Sequence, residues 1–291
     1  MSTIPTESRI FADRYCREAR RLEAFHAGRL SPGAKTWREA MTALFARLGK
    51  IRSPVKQATV VNKAAAYLSS VKSEDCAHML ISQYSASRAA TLYFATFNAS
   101  KHPLVGVEEE EGIGIRQHLI RCDRNGRCDL ICDVDLAYVS KHAIARLHER
   151  ECELTRDHAT VALSVIGALG YLTKANEKHI TGEICLRLSS SVLVVGSLKH
   201  SLQYLEDGRE INGTFYDVRT VLPADEVSNP ALLEQGDIAT RVTMSWLTDR
   251  PADSRGLADE IPFLPRREDD YALRAATVFA DEAPRVDDDN P

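Results

Sequence analysis

His142, Arg146 and Arg150 recur at four-residue steps in the segment KHAIARLHERE after Ser140. At helical spacing the three side chains share one face, with Ala143, Ile144 and Leu147 on the other. Ser140 is a suitable N-cap, and the first turn of a helix favours a neutral imidazole. A neutral His beside two guanidinium groups is equipped to act as a general base next to a bound anion. Glu149 and Glu153 lie on the same face and offer the alternative, a solvated helix whose charges neutralise one another.

A second group, His118, Cys122, Cys128 and Cys132, has the donor types that zinc takes in a tetrahedron. These residues sit in IRQHLIRCDRNGRCDLICDVDL, which alternates with period two on both sides of Asn125-Gly126 and predicts a β-hairpin. A two-residue turn sets Cys122 opposite Asp129, Ile120 opposite Ile131, His118 opposite Asp133 and Arg116 opposite Asp135. That register points Cys122 away from Cys128 and Cys132 and breaks up the ligand set, so free thiols and no metal are expected. Ile115, Leu119, Cys128, Leu130, Cys132, Val134 and Leu136 then form a core-facing side, opposite a mostly polar one. The pairs His118–Asp133 and Arg116–Asp135 have the signs that stabilise neighbouring strands, and they occupy two of the three aspartates that would suggest Mg²⁺. Gly112-Ile113-Gly114 is too short for a dinucleotide fingerprint, and no P-loop or GxSxG elbow is present, so no cofactor is expected.

Around these residues the chain is 291 residues long with a net charge of −4, unevenly spread. Residues 1–105 hold 16 Lys and Arg against 7 Asp and Glu, residues 106–245 hold 15 against 22, and residues 246–291 hold 6 against 12. A basic first third suggests a segment that meets RNA, another polyanion or an acidic protein partner, or else docks on the acidic remainder. Seven cysteines at irregular spacing and an N-terminal stretch without an apolar run predict a reducing, cytoplasmic setting, with no membrane span.

Helices are predicted over 8–30, 35–49 and from Ser53-Pro54 to 71, with 74–97 continuing in a helical and aromatic pattern. Residues 1–105 are thus expected to form a basic helical domain. Residues 106–247 read as β-β-α-α-β-β-β, with a buried helix near 156–172, strands at GEICLRL, SVLVVGSL and GTFYDVRTVL, and a short helix plus a strand over 228–246. The expectation is an α+β fold: an N-terminal helical unit followed by an antiparallel sheet with helices packed on one face. Residues 248–291 read as an acidic, disordered tail.

The order of a strand, then Ser140-x-His142-Ala143-x-x-Arg146-x-x-x-Arg150 on a helix, then a second helix and strands, resembles the RelE-superfamily ribonuclease toxins of the BrnT-like branch. The resemblance covers about a third of the chain. It implies metal-independent cleavage of RNA, with His142 as base, Arg146 and Arg150 as phosphate clamps, and Arg219 of the late strand stabilising charge. Arg187, Lys199, His200 and Arg209 are further cations for that role. The alternative is a non-catalytic binding or assembly protein, accessory or phage-related, which engages nucleic acid, a protein partner or a second copy of itself through the basic helical unit. Geometry separates the two: an enzyme gathers His142, Arg146 and a later arginine in one concave site, whereas a scaffold leaves each arginine with its own carboxylate.

Overall fold

Local residues set where the second and third helices of the chain begin. The computed structural model describes residues 4–71, 81–86, 89–104, 111–150, 156–175, 183–204 and 210–249. Helix α1 spans Thr6–Leu30, α2 Trp37–Gly49 and α3 Pro54–Ser70. The Thr36 side chain accepts from Glu39 N at 3.2 Å to open α2, and Pro54 takes the first position of α3, where no N–H is needed.

Of the stretch expected to continue as helix over 74–97, residues 74–80, 87 and 88 lie outside the described residues, and the rest gives instead two strands, β1 (Ile81–Ala86) and β2 (Ala89–Lys101). In TLYFATFN the faces alternate as in a strand: Leu92 and Phe94, two residues apart, enter one apolar cluster and Phe97 the other. β2 pairs along its length with β3 (Glu111–Cys122), so the expected boundary at residue 105 falls between two neighbouring strands of one sheet.

Seven strands form that sheet in the order β1-β2-β3-β4-β7-β6-β5, with β4 (Cys128–Ser140), β5 (Glu183–Arg187), β6 (Val192–Tyr204) and β7 (Glu210–Pro223). Two antiparallel meanders, β1–β4 and β5–β7, meet where Ala137, Tyr138 and Val139 pair in parallel with Tyr216, Asp217 and Val218. The fold is α+β as expected, but this seam makes the sheet mixed, because the link from β4 to β5 runs through two helices, α4 (Lys141–Arg150) and α5 (Arg156–Ala175).

Helices cover both faces of the sheet, not one. α1, α4 and α5 bury the larger cluster, in which Tyr15, Ile144, Leu147, Ile166 and Leu169 meet Ile115, Val139, Val194 and Tyr216. Gly170 brings α5 down onto β4, where a Cβ would overlap the Leu136 carbonyl. α2 and α3 cover the opposite face with Trp37, Met41, Leu48, Val61 and Leu68 over Leu92, Phe94 and Ile120. The helix plus strand expected over 228–246 is a single helix, α6 (Pro230–Asp249), which wraps the β5 edge. Arg187 binds Asp237, and Thr240 Oγ1 donates to the Arg187 carbonyl. This arrangement shields an edge that could otherwise pair with another chain. Residues 250–291, including most of the expected tail, lie outside the described residues.

The β3–β4 hairpin forms, with a different turn. Asp123 Oδ1 accepts from the backbone N–H of Asn125 and Arg127 at 2.8 Å each, and Asp123 N donates to Arg127 O at 2.8 Å. The loop is therefore three residues, with Gly126 at φ 83°, and not the two-residue turn that Asn125-Gly126 predicts. Register moves by one: Cys122 faces Cys128, Arg121 faces Asp129 and Ile120 faces Leu130. Two irregularities further along restore Arg116 opposite Asp135, as expected, and then shift the pairing again so that Ile115 meets Ala137.

Candidate nucleic-acid interface

The shifted register puts Cys122, Cys128, Leu130 and Cys132 on one face with His118 and Ile120, the reverse of the expected separation. That face is not solvated, because α2 and α3 cover it. His118 is fully buried between Trp37 and Phe94, with ring centroids 6.4 and 5.0 Å away. The Asp133 side chain, its expected partner, lies outside the described residues.

A polar chain takes its place. Trp37 N and Asn98 Nδ2 both donate to Glu23 Oε1, at 3.2 and 2.7 Å. Thr96 Oγ1 donates to Asn98 Oδ1 at 2.8 Å, which leaves it to accept from His118 Nε2 at 2.8 Å. With Nε2 protonated, Nδ1 presents its lone pair to Cys132 Sγ at 3.2 Å. The chain ties α1, β2, β3 and β4 together. Its imidazole is closed to substrate, so its role is to satisfy buried polar groups. Among the described residues, no group of three or more His, Cys, Asp or Glu is placed to hold a metal ion.

The expected catalytic set is divided. Ser140 caps α4 through a 3.1 Å bond from Ala143 N, and Ala143, Ile144 and Leu147 are buried as anticipated. His142 is exposed on that helix. Arg146 binds Glu149 at 2.7 Å, with both side chains largely buried. Arg150 is half-buried, and its Nε is without a hydrogen-bond partner among the described residues. Arg219 stands on the other side of the sheet. It binds Glu183 at 2.8 Å, and Glu183 alternates along β5 with Ile184 and Leu186, which face the α4 cluster. Arg187 binds Asp237, and His200 Nδ1 meets Thr214 Oγ1 at 3.2 Å. Lys199 is half-buried on β6, and Arg209 lies outside the described residues. Arg219 is skipped where the β6–β7 register shifts, and its bond to Glu183 holds it away from His142 and Arg146.

A different set of cations does converge. Between Glu39 and Glu74 the sequence has no carboxylate, yet it carries Arg47, Lys50, Arg52, Lys56, Lys63 and Lys72. Arg47, Lys50, Arg52 and Lys56 lie at the end of α2, in the connection and on the first turn of α3, all exposed. Gln57, buried at 1% exposure, binds that connection to the hairpin tip. Its Nε2 donates to the carbonyls of Leu48 (3.2 Å), Ile51 (2.9 Å) and Gly126 (3.0 Å). The tip adds exposed Arg124 and Arg127, next to Arg52 and Pro54. None of these six cations has a salt bridge among the described residues. The acids nearest in sequence are engaged: Asp123 Oδ1 by its own loop, and Asp129 by Arg121 at 3.0 Å. The carboxylate-free run was a readable signal for the first four, whereas the contribution of the tip depends on a hydrogen bond between residues 69 apart in sequence.

The fold and this end of it define a class: an α+β protein with helices on both faces of a mixed sheet and a basic end formed by a helix connection and a hairpin tip. No family model, curated protein or solved structure matches the chain. Among the described residues, no helix is long and apolar enough to cross a membrane.

Proposed function

We propose that this chain binds nucleic acid without cleaving it, through the basic end formed by Arg47, Lys50, Arg52, Lys56, Arg124 and Arg127. The observation that carries the reading is that these six exposed cations share one end of the molecule with no salt bridge among the described residues, while Arg146, Arg187 and Arg219 each hold a carboxylate. Closely spaced uncompensated cations gain most from a polyphosphate, which releases its condensed counterions when they bind. Arginine adds a planar fork that takes two phosphate oxygens together. The surface has no groove-reading helix motif, so the reading is of backbone binding with little sequence preference.

The test is fluorescence anisotropy of labelled single-stranded RNA and DNA with the full chain in EDTA, over a salt series, with each sample then run on a denaturing gel. Expected are binding to both strands, affinity falling steeply with salt, and intact RNA. Absence of binding at low salt overturns the proposal. RNA cleavage in EDTA that disappears in His142→Ala replaces it with the ribonuclease reading.

A further inference from the structure

Cys122 and Cys128 face each other across the first strand pair behind the hairpin tip, with their sulfurs 2.8 Å apart and both present as thiols. The Asp123 N to Arg127 O bond lies just outside them, which makes 122/128 a non-hydrogen-bonded pair. In antiparallel sheets such pairs bring opposing Cα atoms to about 4.5 Å and their side chains closest together. That separation falls inside the range of about 4.4–6.8 Å spanned by a disulfide. The frame is held from both ends, by the Asp123 side chain within the loop and by Gln57 from α3. No backbone rearrangement is needed to join the sulfurs.

We propose that Cys122 and Cys128 form a reversible cross-strand disulfide by exchange with a low-molecular-weight disulfide. The two residues differ in the way such a reaction requires. Cys128 is half-buried and reachable, while Cys122 is buried under α3. A hydrogen bond from the Cys122 thiol holds Cys128 below the ordinary thiol value, against burial and the charges of Asp123 and Asp129. The same bond, with burial, pushes Cys122 up. Cys128 is therefore the thiolate that attacks. Its sulfur bonds to one sulfur of the small disulfide and expels the other as a thiolate. Cys122 then loses the thiolate that restrained its proton. It gives that proton to solvent, attacks the Cys128 sulfur and expels the second small thiolate. Two protein thiols are oxidised to one disulfide, and one small disulfide is reduced to two thiols. Cys132 lies further along the same face, but its sulfur is engaged by His118. Oxidation therefore goes to the 122/128 pair.

The experiment exposes the full chain to oxidised glutathione, blocks the remaining thiols by alkylation, and reads intact mass and a non-reduced peptide map. Expected for the wild type is a single internal bridge between Cys122 and Cys128, without a retained glutathione adduct, reversed by dithiothreitol. In Cys122→Ser the adduct persists on Cys128, whereas in Cys128→Ser the buried Cys122 stays unmodified over the same interval. Far-UV circular dichroism checks that each variant is folded, and if either is not, the wild-type map decides alone. A stable mixed disulfide in the wild type, full alkylation of both residues, or a bridge to another cysteine overturns the proposal. None of these outcomes depends on what the basic end binds.

Discussion

The surroundings of α4, β7 and β5 and the end formed by α2, α3 and the hairpin tip both carry several arginines, and they treat them in opposite ways. In the first region three arginines each hold a carboxylate: Arg146 pairs with Glu149 one turn away, Arg219 with Glu183 across the sheet, and Arg187 with Asp237 on the covering helix. In the second, Arg47, Lys50, Arg52, Lys56, Arg124 and Arg127 stand in solvent with no salt bridge among the described residues. The first region has the more suggestive motif, a His and two Arg at helical spacing. The second has the electrostatics that a polyanion can use. Residue type and spacing on one element do not establish a site until the neighbouring elements show whether they bring counter-charge.

The largest effect expected from this contrast is on binding. Replacing Arg47, Lys50, Arg52 and Lys56 together by Gln is expected to weaken single-stranded RNA binding roughly a hundredfold near 0.1 M salt. The slope of log affinity against log salt should flatten by about 0.7 for each phosphate that is no longer neutralised. The parallel variant, with Arg146, Arg187 and Arg219 replaced by Gln, is expected to bind within about twofold of the wild type, since those groups are already neutralised. Anisotropy titrations on both variants decide the matter. Equal weakening in the two would show that the pairing of the arginines does not matter and would remove the basis of the comparison.

The next effect is on the frame that joins the two halves of the basic end. Gln57→Leu keeps the volume but withdraws the donor that serves Leu48 O, Ile51 O and Gly126 O. Leu48 O still accepts from Ile51 N, so the loss falls on the Ile51 and Gly126 carbonyls and costs about 1–3 kcal/mol in total stability, measurable by urea denaturation. Hydrogen exchange should accelerate at residues 124–127 more than in β7, which Gln57 does not touch. Uniform acceleration across the sheet would mean that Gln57 supports the whole fold and does not clamp the tip in particular.

The elements governed by local chemistry were legible in the sequence. Pro54 and Ser140 start helices where their types predict, and the apolar run ATVALSVIGALGYL forms the buried α5. What escaped depends on competition or on distance. At the hairpin, Asn125-Gly126 favours a two-residue turn, but Asp123 supplies two side-chain bonds to a longer loop. That choice moves the thiols of Cys122 and Cys128 from opposite faces to within hydrogen-bonding reach of each other. At residues 81–101, small residues such as Ala89, Ala90 and Ala95 suggest helix, yet pairing with β3 from Ala90 to Lys101 outweighs local propensity. The separation of Arg219 from His142 follows from its place at a register shift of β7 and its bond to Glu183, and no local pattern encodes either.

The smallest expected effect sharpens the meaning of a paired arginine. Arg219 and Glu183 are each about half exposed, at 51% and 52%, whereas Arg116 and Asp135 are at 23% and 8% under the α2–α3 side of the sheet. Water screens the first pair, and fixing two long side chains offsets much of its attraction, so its coupling should be below about 1 kcal/mol and fade with added salt. The second pair joins adjacent strands beside two register shifts, where its carboxylate has little access to solvent. Double-mutant cycles with Arg→Gln and Asp→Asn or Glu→Gln, read by urea denaturation at low and high salt, separate the two. The Arg116–Asp135 coupling should exceed that of Arg219–Glu183 and resist salt. If the exposed pair couples as strongly as the buried one, Arg219 is held as part of the fold's framework, and its neutralisation follows from stability. If it couples weakly, Arg219 is a surface residue whose carboxylate partner quiets its charge at little cost, which is the distinction that sets the β5–β7 side apart from the basic end.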